Sequence, residues 1–165
     1  MPGIYRAAEV ILGMEWVWKV DIWSVGTTVW NLTQDNHLIF AKKNGLLDDE
    51  QHLAEMVSLM GPPPPEFLRR SERCRQFWDE QGNWKGSLSI PEQSLEIREH
   101  QFSGPDRELF LNFLRRIFPW VPDERPTAED LVYDDVLMQW IISKSNKMNL
   151  PVFCALFRTA GAPVW

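Results

Sequence analysis

Histidine and cysteine are scarce in this chain: three of the first and two of the second among 165 residues. Cys74 and Cys154 stand 80 positions apart, with no CxxC spacing and no neighbouring histidine. That excludes the usual zinc patterns and leaves two reduced thiols of an intracellular protein as the simple account. The start, Met1-Pro2-Gly3-Ile4-Tyr5-Arg6, lacks the basic stretch and apolar core of a secretory signal. The sequon Asn31-Leu32-Thr33 therefore carries little meaning. No run approaches the ~18 apolar residues of a membrane span, so no membrane association is expected. Positive charge is short as well. Seventeen Lys and Arg against 23 Asp and Glu give a net charge of -6 and a pI near 5.1. A nucleic-acid-binding face is basic, and no nucleic-acid partner is expected. An acidic surface favours basic partners, although it equally describes an acidic soluble protein.

Apolar and aromatic residues are plentiful. Hydrophobic residues make up 44% and charged residues 24%, the composition of a folded globular protein of one domain's length. Nine Trp and nine Phe supply large side chains for a core. If the chain is part of a larger domain, some of these aromatics should lie on a surface that the remainder would cover.

The apolar spacing predicts a mainly α-helical protein with short connections and one longer insert. A short helix over Ala7 to Leu12 is stopped by Gly13. From Val20 to Leu32 the apolar residues surround the helix, which predicts a buried central helix. Leu53, Met56, Val57 and Met60 stand at i, i+3, i+4 and i+7, one buried face. Asp48 and Gln51 resemble a capping box at its start, and Gly61 followed by Pro62-Pro63-Pro64-Pro65 ends it. The prolines are expected to make a rigid turn rather than a ligand for a proline-recognition domain. Between Arg69 and Phe102 the pattern weakens. Arg69, Arg70, Arg73 and Arg75 surround Ser71, as a phosphosite, an anion patch or, more simply, a solvated helix face. A further helix spans about Asp106 to Phe118, and Thr127 with Asp130 caps the last one.

Three separated motifs carry a resemblance. Tyr5-Arg6-Ala7-Ala8-Glu9-Val10-Ile11-Leu12-Gly13 resembles the YRAPEVILG segment that closes the activation segment of CMGC-group protein kinases, with Ala8 in place of the motif proline. Val20-Asp21-Ile22-Trp23-Ser24-Val25-Gly26 resembles the DxWSxG motif of the central kinase helix. Pro122-Asp123-Glu124-Arg125-Pro126-Thr127-Ala128 is similar to the loop before the last kinase helix. The stretch from Asp48 to Pro62 is similar to helix G of SR-protein kinases. Phe77 to Gly86 is similar to the insert of fungal SRPK-like serine/threonine kinases. The resemblance covers residues 1–140; residues 141–165 are an unassigned tail.

The resemblance implies the helical C-lobe of the protein-kinase fold, without the N-lobe and catalytic loop. It implies a buried ion pair between Glu9 and Arg125, and a structural role for Asp21 toward the backbone of a catalytic loop. Tyr5 and Arg6 match the pocket that reads the residue after the phosphorylated site. The acids near helix G, Asp48, Asp49 and Glu50 with Glu55 close by, correspond to a region that docks arginine-rich substrates in SR-protein kinases. Gln51 and Ser58 stand at two positions that are acidic in relatives.

Phosphoryl transfer needs a glycine-rich loop, a strand lysine, a catalytic-loop aspartate and asparagine, and a metal-binding DFG aspartate. The nine glycines form no GxGxxG; no histidine opens an HRD; there is no DFG and no VAIK. The expectation is a truncated kinase domain, inactive as this chain, with ATP and Mg²⁺ belonging to full-length family members. The alternative is a non-enzymatic module that holds basic or Arg-Ser-rich protein partners. An unrelated enzymatic chemistry has no nucleophile–base motif to support it.

Overall fold

The computed structural model describes residues 3–138; Cys154 and the tail 141–165 lie outside them. A 3₁₀ turn at Gly3–Tyr5 leads to α1 (Ala8–Ile11) and α2 (Lys19–Thr33). A hairpin of β1 (Lys42–Lys43) and β2 (Leu46–Leu47) precedes α3 (Asp49–Met60) and α4 (Pro65–Leu68). A 3₁₀ turn at Glu72–Gln76 and α5 (Leu95–Arg98) follow, then α6 (Gly104–Ile117), a turn at Pro122–Glu124 and α7 (Ala128–Val132). The architecture is that of a helical C-lobe. Among the described residues no helix is long and apolar enough to cross a membrane.

The core forms where α2 meets α6. Trp23 packs edge-on against Phe118 at 4.8 Å, and Trp30 stacks on Phe110 at 6.2 Å. Gly26 allows the close approach: a Cβ there would lie 2.5 Å from a methyl group of Ile117 and 2.8 Å from the Phe118 ring. Contrary to the expectation of burial all round, α2 has one exposed side. Asp21, Val25, Thr28 and Leu32 recur at helical spacing and are exposed. Trp16, Val17 and Trp18 extend that surface and are each more than half exposed. An apolar sequence reports what a helix could bury, not whether a second layer is there to bury it.

Local chemistry explains the other helices. The Asp48 carboxylate accepts from the Gln51 N–H at 2.7 Å. The expected capping box is only half present, because the Gln51 side chain turns forward to Glu55 at 2.9 Å. Gly61 ends α3 at φ 80°, a conformation that suits glycine. The proline run makes the turn into α4, with Pro65 in its first turn, where a missing N–H costs nothing. At α7 the Thr127–Asp130 capping box has both halves. The hairpin, which hydrophobic spacing does not predict, turns at Asn44 and Gly45, both at positive φ.

The insert after the turn at Glu72–Gln76 is organised by aromatics. Trp84 stacks on Phe77 at 6.1 Å and meets Trp78 at 5.2 Å, and its indole N–H donates to the Leu88 carbonyl at 2.7 Å. Cys74 beneath it is buried, and that burial pushes its thiol up to about 11, so it stays protonated at neutral pH.

Candidate substrate-side site

A buried polar pair joins residues 116 positions apart. Arg125 grips Glu9 with both guanidinium ends, Nη1 to Oε1 at 2.6 Å and Nη2 to Oε2 at 2.9 Å. Both side chains are almost fully buried, at 0% and 1% exposure. Arg125 also donates to the carbonyls of Pro119 at 3.0 Å, Lys19 at 3.1 Å and Trp120 at 3.4 Å. Its guanidinium lies over the Trp23 ring at 5.1 Å. The Lys19 ammonium donates to the Arg125 carbonyl. Each donor of the buried cation is thus occupied, which is the condition under which a buried charge is tolerated. The pair fixes α1 against the segment before α7, and with it the residues just before α1.

Those residues are Tyr5 and Arg6. The Tyr5 hydroxyl accepts from Asn31 Nδ2 at 3.0 Å, and Ser24 Oγ donates to the Tyr5 carbonyl at 3.4 Å, both from α2. The sequon asparagine is itself spent in this packing, since its Oδ1 also accepts from the Leu38 N–H. Arg6 donates to the Gly3 carbonyl at 3.1 Å and to Asp49 Oδ1 at 2.7 Å. The start of α3 is thereby brought against the segment before α1.

The three acids at that helix start are all engaged. Asp48 caps α3. Asp49 holds two arginines, Arg6 on Oδ1 and Arg73 on Oδ2, each at 2.7 Å. Glu50 points toward the insert, where it accepts from Ser87 Oγ at 2.8 Å and from the Leu88 N–H at 3.1 Å. Slight burial alone would raise the Glu50 carboxyl, but the bonds from Ser87 and Leu88 outweigh it and hold it below the usual range. Glu55 is buried and turned to the fold, accepting from the Phe40 N–H at 2.7 Å. Arg6 and Asp49 therefore meet directly, while Tyr5, Asp48 and Glu50 look to other partners.

Other polar residues of the site have no motif in the sequence. Arg98 donates to the carbonyls of His37 and Leu38 and to Asn36, pinning the loop after α2. Burial depresses the Arg98 pKa, and Glu55 acts against that shift. His52, one turn after Asp49, is fully buried, and among the described residues neither ring nitrogen has a hydrogen-bond partner. Burial, with the Arg6 cation adding to it, pushes its pKa down to about 3, so the ring is neutral at physiological pH.

Asp21 stands on the exposed side of α2, with no side-chain hydrogen bond or ion pair among the described residues. Among those residues no three His, Cys, Asp or Glu side chains converge. What the arrangement offers chemically is a carboxylate that already accepts two guanidinium groups, beside a rigidly held Tyr5–Arg6 segment.

No protein-family model matches the chain. Over 144 residues, 87% of its length, it is 43% identical to a serine/threonine protein kinase of Aspergillus fumigatus, covering 36% of that protein. It is 32% identical over 149 residues to the dual specificity protein kinase lkh1 of Schizosaccharomyces pombe, a match covering 84% of this chain and 21% of that one. The serine/threonine-protein kinase SRPK of Physarum polycephalum is 28% identical over 131 residues, which are 76% of this chain and 31% of the relative. The chain thus spans roughly a third or less of these curated relatives.

Proposed function

Since the chain belongs to the SRPK-like serine/threonine kinases of the CMGC group, as part of their helical C-lobe, we propose that it forms the substrate side of such a kinase and performs no phosphoryl transfer by itself. The observation that carries this reading is the intact Glu9–Arg125 clamp, which sets Tyr5 and Arg6 beside α3. The frame for presenting a substrate is kept, while the sequence holds none of the groups that bind nucleotide and stabilise the transferring phosphoryl. ATP and Mg²⁺ are cofactors of the longer kinase, which phosphorylates Ser or Thr of intracellular proteins. Calorimetric titration of the chain with Mg·ATP tests this directly. No saturable heat is expected, and a clear binding isotherm would overturn the reading.

A second reading is favoured by one observation, the two guanidinium groups already gathered on Asp49. A carboxylate so placed suits arginine in a basic or Arg-Ser-rich partner. The expected result is salt-sensitive binding of an Arg-Ser repeat peptide, weakened by Asp49→Asn and Glu50→Gln. These replacements keep the shape and one acceptor of each side chain while removing its charge. Equal peptide affinity in the neutralised variants would discard it.

A further inference from the structure

The basic cluster between α4 and α5 is not absorbed by either reading. Four arginines and one glutamate, Arg69, Arg70, Glu72, Arg73 and Arg75, give this short stretch a charge of +3 in a chain whose total is -6. Ser71 sits at its centre with two bonds. Its hydroxyl donates to the Leu12 carbonyl at 2.8 Å, across 59 positions, and accepts from the Arg73 N–H at 3.2 Å. Arg69 and Arg75 line the same surface cleft as Ser71. Arg69 has no side-chain hydrogen bond or ion pair among the described residues. Among the described residues Arg75 pairs only with Glu72, at 3.0 Å, where both side chains are mostly exposed and the pair is worth little. Arg73 is committed to Asp49, at 2.7 Å, and Arg70 more loosely to Asp123, at 3.8 Å.

We propose that Ser71 is a phosphorylation site whose modification draws Arg73 away from Asp49. The modifying enzyme is a separate kinase that prefers arginine around its target serine, and the donor is a nucleoside triphosphate. Ser71 Oγ attacks the γ-phosphorus; the new O–P bond forms as the bond to the bridging oxygen breaks. The nucleoside diphosphate leaves, and the hydroxyl proton passes to a base of the modifying enzyme. Oγ then has no hydrogen to give Leu12, and a phosphoryl group of charge about -1.5 to -2 is repelled by that carbonyl. It turns to the guanidinium groups around it. The Arg73 backbone N–H already lies on this oxygen, so the Arg73 side chain starts beside the new group, and a phosphate offers its guanidinium more charge and a better bidentate surface than one carboxylate oxygen does. Once Arg73 leaves, Asp49 keeps Arg6 on Oδ1 while Oδ2 is open to a guest arginine. The modification itself stands on the local geometry; its effect on a basic partner rests on the second reading above.

The test uses the full chain with phosphoserine encoded at position 71, beside the unmodified chain and Arg73→Ala. Separately, an arginine-directed kinase with ATP is applied and the product mapped by mass spectrometry, with Ser71→Ala as control. The expected results are phosphate on Ser71, displaced NMR signals of the Arg73 guanidinium, and tighter binding of an Arg-Ser repeat peptide. The gain is expected at about 2- to 5-fold, the span of an exposed ion pair. Arg73→Ala should reproduce it without phosphate. Unmoved Arg73 signals in the phosphoserine protein overturn the proposal, as does a map in which Ser71 stays unmodified. Moved Arg73 signals with no peptide binding by any form support the switch and discard the basic-partner reading instead.

Discussion

Replacing Glu9 with glutamine keeps the shape of the side chain and removes its charge, leaving the Arg125 cation buried with only carbonyls and an amide around it. Arg125 is wholly inaccessible and Glu9 nearly so, which means water cannot step in for the lost carboxylate. Breaking one partner of such a pair costs about 3–5 kcal/mol. Against the total of about 5–15 kcal/mol usual for a folded domain, that is a large share. With a urea dependence of about 2 kcal/mol per molar, the midpoint should fall by roughly 2 M. Urea unfolding followed by tryptophan fluorescence reads it, because Trp23 lies against the guanidinium. The paired replacement Glu9→Leu with Arg125→Met, which removes both charges, should cost clearly less than the sum of Glu9→Leu and Arg125→Met measured singly. A Glu9→Gln midpoint within about 0.3 M of the parent would refute the claim that this pair is tightly coupled and dry.

His52 should make stability pH-dependent. Its pKa is about 3 in the folded protein and 6.5 in its ordinary state, so the unfolded chain takes up the proton first. Stability is then full above pH 6.5, falls by about 1.4 kcal/mol per pH unit below it, and levels off near pH 3. Urea midpoints between pH 7 and 4.5 should show a loss of roughly 3 kcal/mol that is absent in His52→Met; equal slopes in both would contradict the assignment. Gly26→Ala gains about 1 kcal/mol of helix propensity but drives a methyl into Ile117 and Phe118. Overpacking of about 1–3 kcal/mol should win, lowering the thermal midpoint, and a raised midpoint would show that the end of α6 yields easily.

Helices whose signals are local are legible in the sequence. Asp48 and Gly61 bound α3, and Thr127 with Asp130 opens α7, because caps act within three or four residues of the helix they end. α5 is four residues long, too short for a periodic pattern to show, and Asn44-Gly45 was the only clue to the hairpin. The site was less legible than the fold. Asp49 and Glu50 look like solvent-facing acids in the sequence, yet their partners Arg73 and Ser87 come from 24 and 37 positions away, in the stretch of weakest pattern. Arg98 holds its loop from 60 positions off with no motif around it. Nothing local to His52 marks it as buried and unpartnered. Glu9 and Arg125 belong to recognisable motifs, but only the three-dimensional structure supplies the carbonyls that complete the arginine's shell.

The clamp between Glu9 and Arg125 also sets an order of events during synthesis. At roughly 5–20 residues per second, the acid is made some 6–23 s before the arginine that will neutralise it. Throughout that interval α1 carries a charge that cannot enter an apolar core alone, so it must wait in water until the loop before α7 has been made. The first helix of this chain is therefore among the last to be locked in place.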